Sequence, residues 1–478
     1  MPEHCLHREL DVMMRRVGTL LLPLVAVFLV PFTLTGASVA LTDISEQLDA
    51  SLAATQWVVN AYSATFAGFM LITGALADRL GRRRVFVSGV ALFAVCALIS
   101  AVAQDIVVLD VARLISGIGA AATTTGASAV LAEAFTGSAR SKVFGLFGTT
   151  IGIGLAFGPT LAGLLVDTWG WRAAFALPGV IGLLCVAFYR SLPASRPATA
   201  RGQLDRAGGT LFTLALLLLI FALVEGPELG WGSAAVAGSL VASVLLSGAF
   251  VAVERSVAEP LLDFRLFGTG RFLGLCLAVI AVVGLFGPLL TYLPAYFHAV
   301  AGMSTGEAGL SMVALTGPVL FIPLVCGALV RWVPGSVQVV ASLVLVAAGS
   351  AWLATGSSLL PALVVTGIGV AVAQGLLDGL AVDAVPAEHA GAAAGTFNTA
   401  KLTAETLGIA VVGAVLAART GGRLSGPRFP EALHLTLWIF AGLCLVSAAA
   451  TALLLRPRAA RPATEAPEGE RDPEAVAT

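Results

Sequence analysis

Long apolar runs separated by short polar breaks dominate the chain. A helix that crosses a membrane needs about 20 apolar residues, because ~30 Å of hydrocarbon is covered at ~1.5 Å per residue. Runs of that kind stand near residues 17–39, 54–77, 85–103, 107–130, 143–166, 173–190, 208–224, 233–253, 272–297, 306–330, 337–355, 359–382, 393–418 and 433–455, so the pattern predicts fourteen spans. In lipid every backbone polar group must be satisfied within its own segment, and no alternating strands of about ten residues occur that would close a barrel. The predicted fold class is therefore all-α integral membrane. The first run follows Arg15 and Arg16 and precedes Ser38 and Ala40 in the manner of a secretory leader, and it is read as an uncleaved first span.

The polar breaks suggest a six-two-six plan. Residues 1–16 form an N-terminal tail, 17–190 a first group of six helices, 191–207 a linker, 208–253 two extra helices, 254–271 a second linker, and 272–455 the last six helices. The segment 456–478 is rich in Pro, Glu, Ala and Arg with no apolar face, and is expected to be disordered.

Composition narrows the function classes. Of 478 residues 58% are apolar and 12% charged, with a mean hydropathy of +0.94. The longest hydrophilic stretches, 190–207 and 456–478, cannot bury a core, which leaves no room for a soluble catalytic domain. No Ser/His/Asp constellation, phosphate loop or metal cluster is present, so neither an enzyme nor a metal site is expected. A net charge of −1 argues against a nucleic-acid partner. Cys5, Cys96, Cys185, Cys276, Cys326 and Cys444 lack any CxxC spacing and are read as packing residues.

Lysine and arginine set the orientation. With the N-terminus inside, 21 of the 27 fall in cytoplasmic segments and four in outer loops, Arg172, Arg419, Arg423 and Arg428. That bias predicts both termini in the cytoplasm of a cell-membrane protein. Trp57, Trp169, Trp171, Trp231 and Trp352 fall at predicted outer ends and Trp332 at an inner one, as interfacial anchors would.

Three motifs carry more information. Between spans two and three, Gly74, Asp78, Arg79, Gly81, Arg82 and Arg83 sit in GALADRLGRRR, where glycines permit a tight turn and Asp78 offers a carboxylate to a neighbouring helix N-terminus. Span four holds ARLISGIGA. Span five holds GLAFGPTLAG, in which Gly154, Gly158 and Gly163 allow close helix packing and Pro159 removes a backbone hydrogen bond, bending the helix. The first resembles the loop signature of the major facilitator superfamily. The second resembles that superfamily's Arg-x-x-Gln-Gly-x-Gly motif with Ser116 at the Gln position, and the third its antiporter motif with Ala162 as a departure.

With QWVVNAY at 56–62, WGWRAAFALP at 169–178, FALVEGPELGW at 221–231 and GTFNTAKLTAETLGIA at 395–410, the chain is similar along almost its full length to the fourteen-span drug:proton antiporters, and among them to antibiotic-resistance exporters. The resemblance implies two six-helix bundles around a central cavity and two linker helices. It also implies rocker-switch export of a small lipophilic drug, antibiotic or related metabolite, with the proton gradient as energy source and no cofactor. The partners it implies are that substrate, protons and the bilayer, with the protein acting as a monomer. An uptake symporter or facilitator shares the fold without needing the span-five motif, and a transport-dead sensor would want a larger cytoplasmic element.

Ionisable groups inside spans call for a partner or a purpose. Asp110 and Arg113 share a helical face and are close enough to pair, either as a proton-sensitive gate or as a static ion pair. Lys401 and Glu405 stand at i,i+4 and can neutralise each other, as a coupling site or a structural couple. Asp378, with Gln374 one turn earlier, is a candidate titrating carboxylate or a wetted helix end. Span one carries Thr33 where these exporters often place Asp, which shifts the expected substrate toward neutral or weakly acidic compounds. Thr33, Thr35 and Ser38 are candidate hydrogen-bonding groups for such a ligand, and Tyr292, Tyr296 and His298 candidate stacking groups or interface aromatics.

Overall fold

The computed structural model describes residues 2–455, apart from residues 136, 193–204, 258, 259, 261, 263, 386–389, 422–425 and 427. Among the described residues the regular structure is helical throughout. The expected disorder of 456–478 and most of the first linker, 193–204, therefore lie outside them.

The first group comprises α1 (Pro2–Gln47), α2 (Leu52–Leu80), α3 (Arg82–Val102), α4 (Ile106–Ala134), α5 (Gly137–Trp169) and α6 (Trp171–Ala187). Its turns are set locally. Gly81 joins α2 to α3 at φ 97 and Gly170 joins α5 to α6 at φ 81, backbone settings that side chains disfavour. Ser51 and Asp105 cap α2 and α4 by accepting from Ala54 N and Val108 N. The positions of these turns define two ends of the molecule, a Gly81 end and a Gly170 end.

The extra pair, α7 (Arg206–Leu229) and α8 (Ala234–Ser256), is joined by Ser243 Oγ donating to the Ala215 carbonyl at 2.8 Å. Helix α7 packs against both α2 and the later α15, with Ala64, Leu216, Ile220 and Ala410 forming a small shared core. Thr213 Oγ1 donates to Gly68 O at 2.8 Å and so ties α7 to the first group. Helix α7 is thus packed against both groups, while α8 packs on α7.

The second group comprises α9 (Gly270–Ala301), the three consecutive pieces α10 (Thr305–Ser311), α11 (Val313–Thr316) and α12 (Pro318–Leu329), then α13 (Gly335–Ala354), α14 (Leu359–Asp383), α15 (Ala390–Thr420) and α16 (Arg428–Leu454). The single span expected near 306–330 is interrupted near Pro318, which has no N–H to offer its own helix. The broad core runs through both groups, with Phe32, Leu41, Phe286, Leu293 and Leu376 all buried in it.

Twelve described helical stretches are long and apolar enough to cross a membrane, with Thr305–Pro323 of α10 to α12 counted as one. The expected spans at 54–77 and 173–190 correspond to α2 and α6, which are not among the twelve. Helix α6 has 17 residues, roughly 25 Å of rise, and α2 buries Gln56, Asn60, Ser63 and Thr65 along its length. The all-α membrane class holds, while the count of fourteen remains an expectation of the sequence.

Two tryptophans depart from the interfacial role. Trp171 is fully buried and donates Nε1 to Gln47 Oε1 at 2.9 Å, and Trp57 donates to Glu225 Oε1 on α7 at 2.7 Å. Each indole found a buried or cross-helix acceptor, which holds it more firmly than a headgroup region would. Trp169, Trp231, Trp332 and Trp352 are exposed. The five described cysteines are free and buried.

Candidate functional site

A cavity of about 160 Å³ opens between the two groups. Its wall is mostly apolar, from Val30, Pro31 and Leu34 of α1, Phe66 and Met70 of α2, Leu155 of α5 and Phe286 of α9. Polar atoms enter from the second group, through Gln374 of α14 and Asn398, Lys401 and Glu405 of α15. Positions 398, 401 and 405 lie on one stripe of α15, which explains why one helix supplies three of them.

Lys401 acts electrostatically on Glu405 one turn away, but its close ion pair is made elsewhere. Lys401 Nζ donates to both carboxylate oxygens of Asp378, at 3.0 and 3.1 Å. Glu405 makes no hydrogen bond or close ion pair among the described residues, and the charge nearest to it is that of Lys401 on the same wall. The Glu405 chain passes close to Gly287 on α9, where an added Cβ would lie 2.7 Å from Glu405 Cγ, so the glycine makes the space the side chain occupies.

Arg113 is 1% exposed, yet it makes no ion pair with Asp110. Its Nε donates to the Val58 carbonyl at 2.8 Å, and its guanidinium lies 4.0 Å from the Tyr62 ring centre and 5.5 Å from that of Phe175. Arg113 Nη2 and Asp110 Oδ1 are both buried without partners. Three residues of helix put the two on one face, but the rotamer that reaches Val58 and stacks on Tyr62 turns the guanidinium into the α2–α4 seam. Ser116, at the expected Gln position, is fully buried.

Thr33, Thr35 and Ser38 do not line the cavity. They donate to Leu29 O, Pro31 O and Leu34 O of their own helix at 2.8, 2.9 and 3.1 Å, a common outlet for hydroxyls in apolar surroundings. Tyr292 donates to Ile409 O at 3.2 Å, and Tyr296 pairs with His434 Nε2 at 3.1 Å, both away from the cavity wall. His298 Nδ1 meets Met303 O at 2.9 Å.

The loop and span-five motifs act through packing. At the Gly81 end, Arg82 reaches Glu133 at 3.8 Å and Arg83 lies 5.0 Å from the Tyr189 ring centre. The side chain of Asp78 lies outside the described residues; Gly74 has only Thr125 Cγ2 within reach of a Cβ, at 3.9 Å, and Arg79 is partly buried. On α5, a Cβ at Gly154 would meet Pro31 Cγ at 2.6 Å, one at Gly158 would strike Thr35, and one at Gly163 would meet Thr305 O at 2.7 Å. Helix α5 continues through Pro159, whose carbonyl abuts Gly309. One helix thus presses on α1 of its own group and on α10 of the other.

Sequence reading missed the contacts that close the Gly170 end. Asp167 Oδ2 accepts from Ser304 Oγ at 2.9 Å and Gly306 N at 2.8 Å, and Asp43 Oδ2 accepts from Thr305 Oγ1 at 3.0 Å. Thr160 Oγ1 donates to Gly309 O at 2.9 Å and Thr316 Oγ1 to Ala156 O at 2.6 Å. Burial pushes the Asp43 carboxyl above its ordinary range, with Glu46 and Asp167 adding to the rise and Thr305 and His298 opposing it. The only local signal was the Ser304–Glu307 capping box, which forms as its spacing suggests and says nothing of the partner helix. Among the described residues, no three His, Cys, Asp or Glu side chains are grouped to hold a metal ion.

Comparison with known proteins agrees with this architecture. Residues 24–409 match the family model described as Major Facilitator Superfamily. The chain is 33% identical over 390 residues to the multidrug resistance protein Stp of Mycobacterium tuberculosis, covering 80% of this chain and 72% of Stp. It is 32% identical over 421 residues to the tetracenomycin C resistance and export protein of Streptomyces glaucescens, covering 84% and 76%. Among solved structures it is similar to a bacterial homolog of the human lysosomal transporter Spinster in an inward-facing, unoccupied conformation, with a TM-score of 0.66, 16% identity and 92% and 97% coverage.

Proposed function

The chain belongs to the Major Facilitator Superfamily, and on that premise we propose that it exports a small lipophilic drug, antibiotic or related metabolite in exchange for protons by alternating access. Membership makes it a multi-pass membrane transporter. The resistance and export relatives support the direction and the substrate type.

One observation carries the mechanism. The bonds of Asp43, Asp167, Thr160 and Thr316 join the two groups toward the Gly170 end of the cavity. The arginines of the Gly81 loop belong in the cytoplasm by the positive-inside rule, with both termini on that side. In that orientation the closed end faces outward and the cavity loads from within. Each chain carries a whole cavity and works as a monomer.

Glu405 is the proton-carrying group in this scheme. A buried carboxylate in a mostly apolar wall, whose nearest lysine is bonded to Asp378, is stabilised by taking up a proton. Arg113, held by Val58 and Tyr62 in the seam of α2 and α4, links changes in that seam to the cavity wall through the Tyr62 ring.

The test is collapse of a preset pH gradient, read by an acridine dye in inside-out vesicles, on adding a panel of cationic, neutral and acidic antibiotics. At least one compound collapses the gradient with wild type and none with Glu405→Gln. Accumulation of a labelled compound in whole cells, with no gradient collapse, would replace export by uptake.

A further inference from the structure

The two groups of helices meet along two seams toward the Gly170 end, and the seams are built differently. Where α5 meets α10 and α11, Asp167, Thr160 and Thr316 each bond across. Where α2 meets α15, most of the polar side chains bond to nothing. Gln56, Asn60 and Ser63 form one stripe of α2, and Thr403, Thr406 and Gly413 one stripe of α15, at helical spacing. Gln56, Asn60 and Ser63 are 2%, 0% and 4% exposed. Both amide atoms of Gln56 and of Asn60, and the hydroxyls of Ser63 and Thr403, are buried without a hydrogen bond among the described residues. A Cβ at Gly413 would lie 2.6 Å from Gln56 Oε1 and strike the Tyr292 hydroxyl, which sets Gln56 level with Gly413. Thr406 Oγ1 does cross to Ser63 O, at a long 3.4 Å.

We propose that the α2–α15 seam is the side of the outer end that is built to part, and that its polar stripe becomes the hydrated wall of the release path. The inference rests on the export reading, which puts the Gly170 end outside, and deepens it by naming the seam along which the compound leaves. An amide sealed without a partner has given up its bonds to water and gained none, so each such group favours the form in which solvent reaches it. Cross-helix hydrogen bonds are the usual reason for polar side chains between spans, and at Gln56 and Asn60 that reason is missing. The bonded α5–α10 seam holds the closed form, and the α2–α15 seam biases it toward opening. Leucine, similar in shape to asparagine, removes that bias.

Intact cells carrying the full-length protein test this with a membrane-impermeant methanethiosulfonate reagent added outside, read at a Ser63→Cys reporter in the seam. With both amides in place the reporter labels at a measurable rate, and Asn60→Leu or Gln56→Leu slows it at least fivefold. The same leucine variants slow a Thr305→Cys reporter on the other seam by a similar factor, which a local obstruction beside Ser63 would not do. Melting temperatures of the purified leucine variants stand at or above that of the parent, because an unpaired buried group has been removed. Four results overturn the proposal: no labelling of Ser63→Cys with the amides in place, slowing at Ser63 alone, a lowered melting temperature, or equal rates with and without leucine, as bound water satisfying the amides would give. Labelling needs no transported compound, so the two readings fail separately. If the seam opens as described while no compound collapses the vesicle gradient, the seam stands and proton-coupled export falls. If a compound collapses the gradient while the leucine variants label like the parent, export stands and the role of the seam falls.

Discussion

Asp167, near the end of α5, accepts from the hydroxyl of Ser304 and, through the same oxygen, from the backbone N–H of Gly306 at the start of α10. One carboxylate oxygen therefore bridges the two groups of helices. Because Asp167 is exposed at the end of its helix, solvent competes for it, and about 1 kcal/mol is a fair expectation for the pair of bonds. Asp167→Ala should make this end open more often. A single cysteine at Thr305, probed with a membrane-impermeant maleimide in intact cells, should label several-fold faster in that variant. An unchanged labelling rate would mean the bridge does not hold the end shut.

The neighbouring Asp43 makes the same closure sensitive to pH. Its carboxyl sits above its ordinary range in the closed form, mainly through burial, and would return toward that range once solvated in an open form. The closed form then binds the proton more tightly. Its advantage is fully present below the ordinary carboxylate value and is lost as pH rises through the raised one. Labelling of an exposed reporter cysteine at Ser304 should rise as pH increases from the ordinary carboxylate range through the raised value of Asp43. Asp43→Asn should flatten that rise. A profile identical to wild type would remove Asp43 from the account.

Lys401 and Asp378 invite a double-mutant cycle. The carboxylate is half exposed, 52% against 20% for the lysine side chain, so solvent screens the pair. The coupling energy in thermal unfolding of the detergent-solubilised protein should be about 0.2–1 kcal/mol. Lys401→Ala should weaken stability less than it disturbs cavity charge. A coupling of zero would indicate that the contact is not formed in solution.

Close approach of α1 and α5 depends on Gly158, where a Cβ would collide with the Thr35 side chain. Gly158→Ala should destabilise the protein by about 1–3 kcal/mol, the usual range for overpacking a tight interior. Adding Thr35→Ala, which removes the hydroxyl in the way, should recover part of that loss. Gly148, ten residues earlier on the same helix, has nothing within 4 Å of where a Cβ would stand, so Gly148→Ala should be neutral or stabilising by a few tenths to about 1 kcal/mol. Equal melting temperatures for the Gly158 and Gly148 variants would refute the packing argument.

Much of this architecture was legible in the order of residues. The lengths of apolar runs, the turn glycines Gly81 and Gly170 and the small residues of α5 act through local or same-helix rules, so the all-helical membrane class and the crowded face at Gly154 and Gly158 could be read directly. The helical period also put Gln374, Lys401 and Glu405 among the groups worth following, and all three reach the cavity wall.

Partnership was decided elsewhere. Sequence spacing offered Lys401 to Glu405, four residues away, and the fold brought Asp378, 23 residues away, to the same ammonium with two oxygens. The same rotation of helices turned Thr33 and Thr35 away from the cavity, sank Trp171 into the interior and joined Asp43 to Thr305 across 262 residues. Hydrophobic period fixes which residues share a face of one helix; the azimuth and depth at which that helix meets its neighbours come from packing of the whole bundle, and they determine which charges are brought into contact.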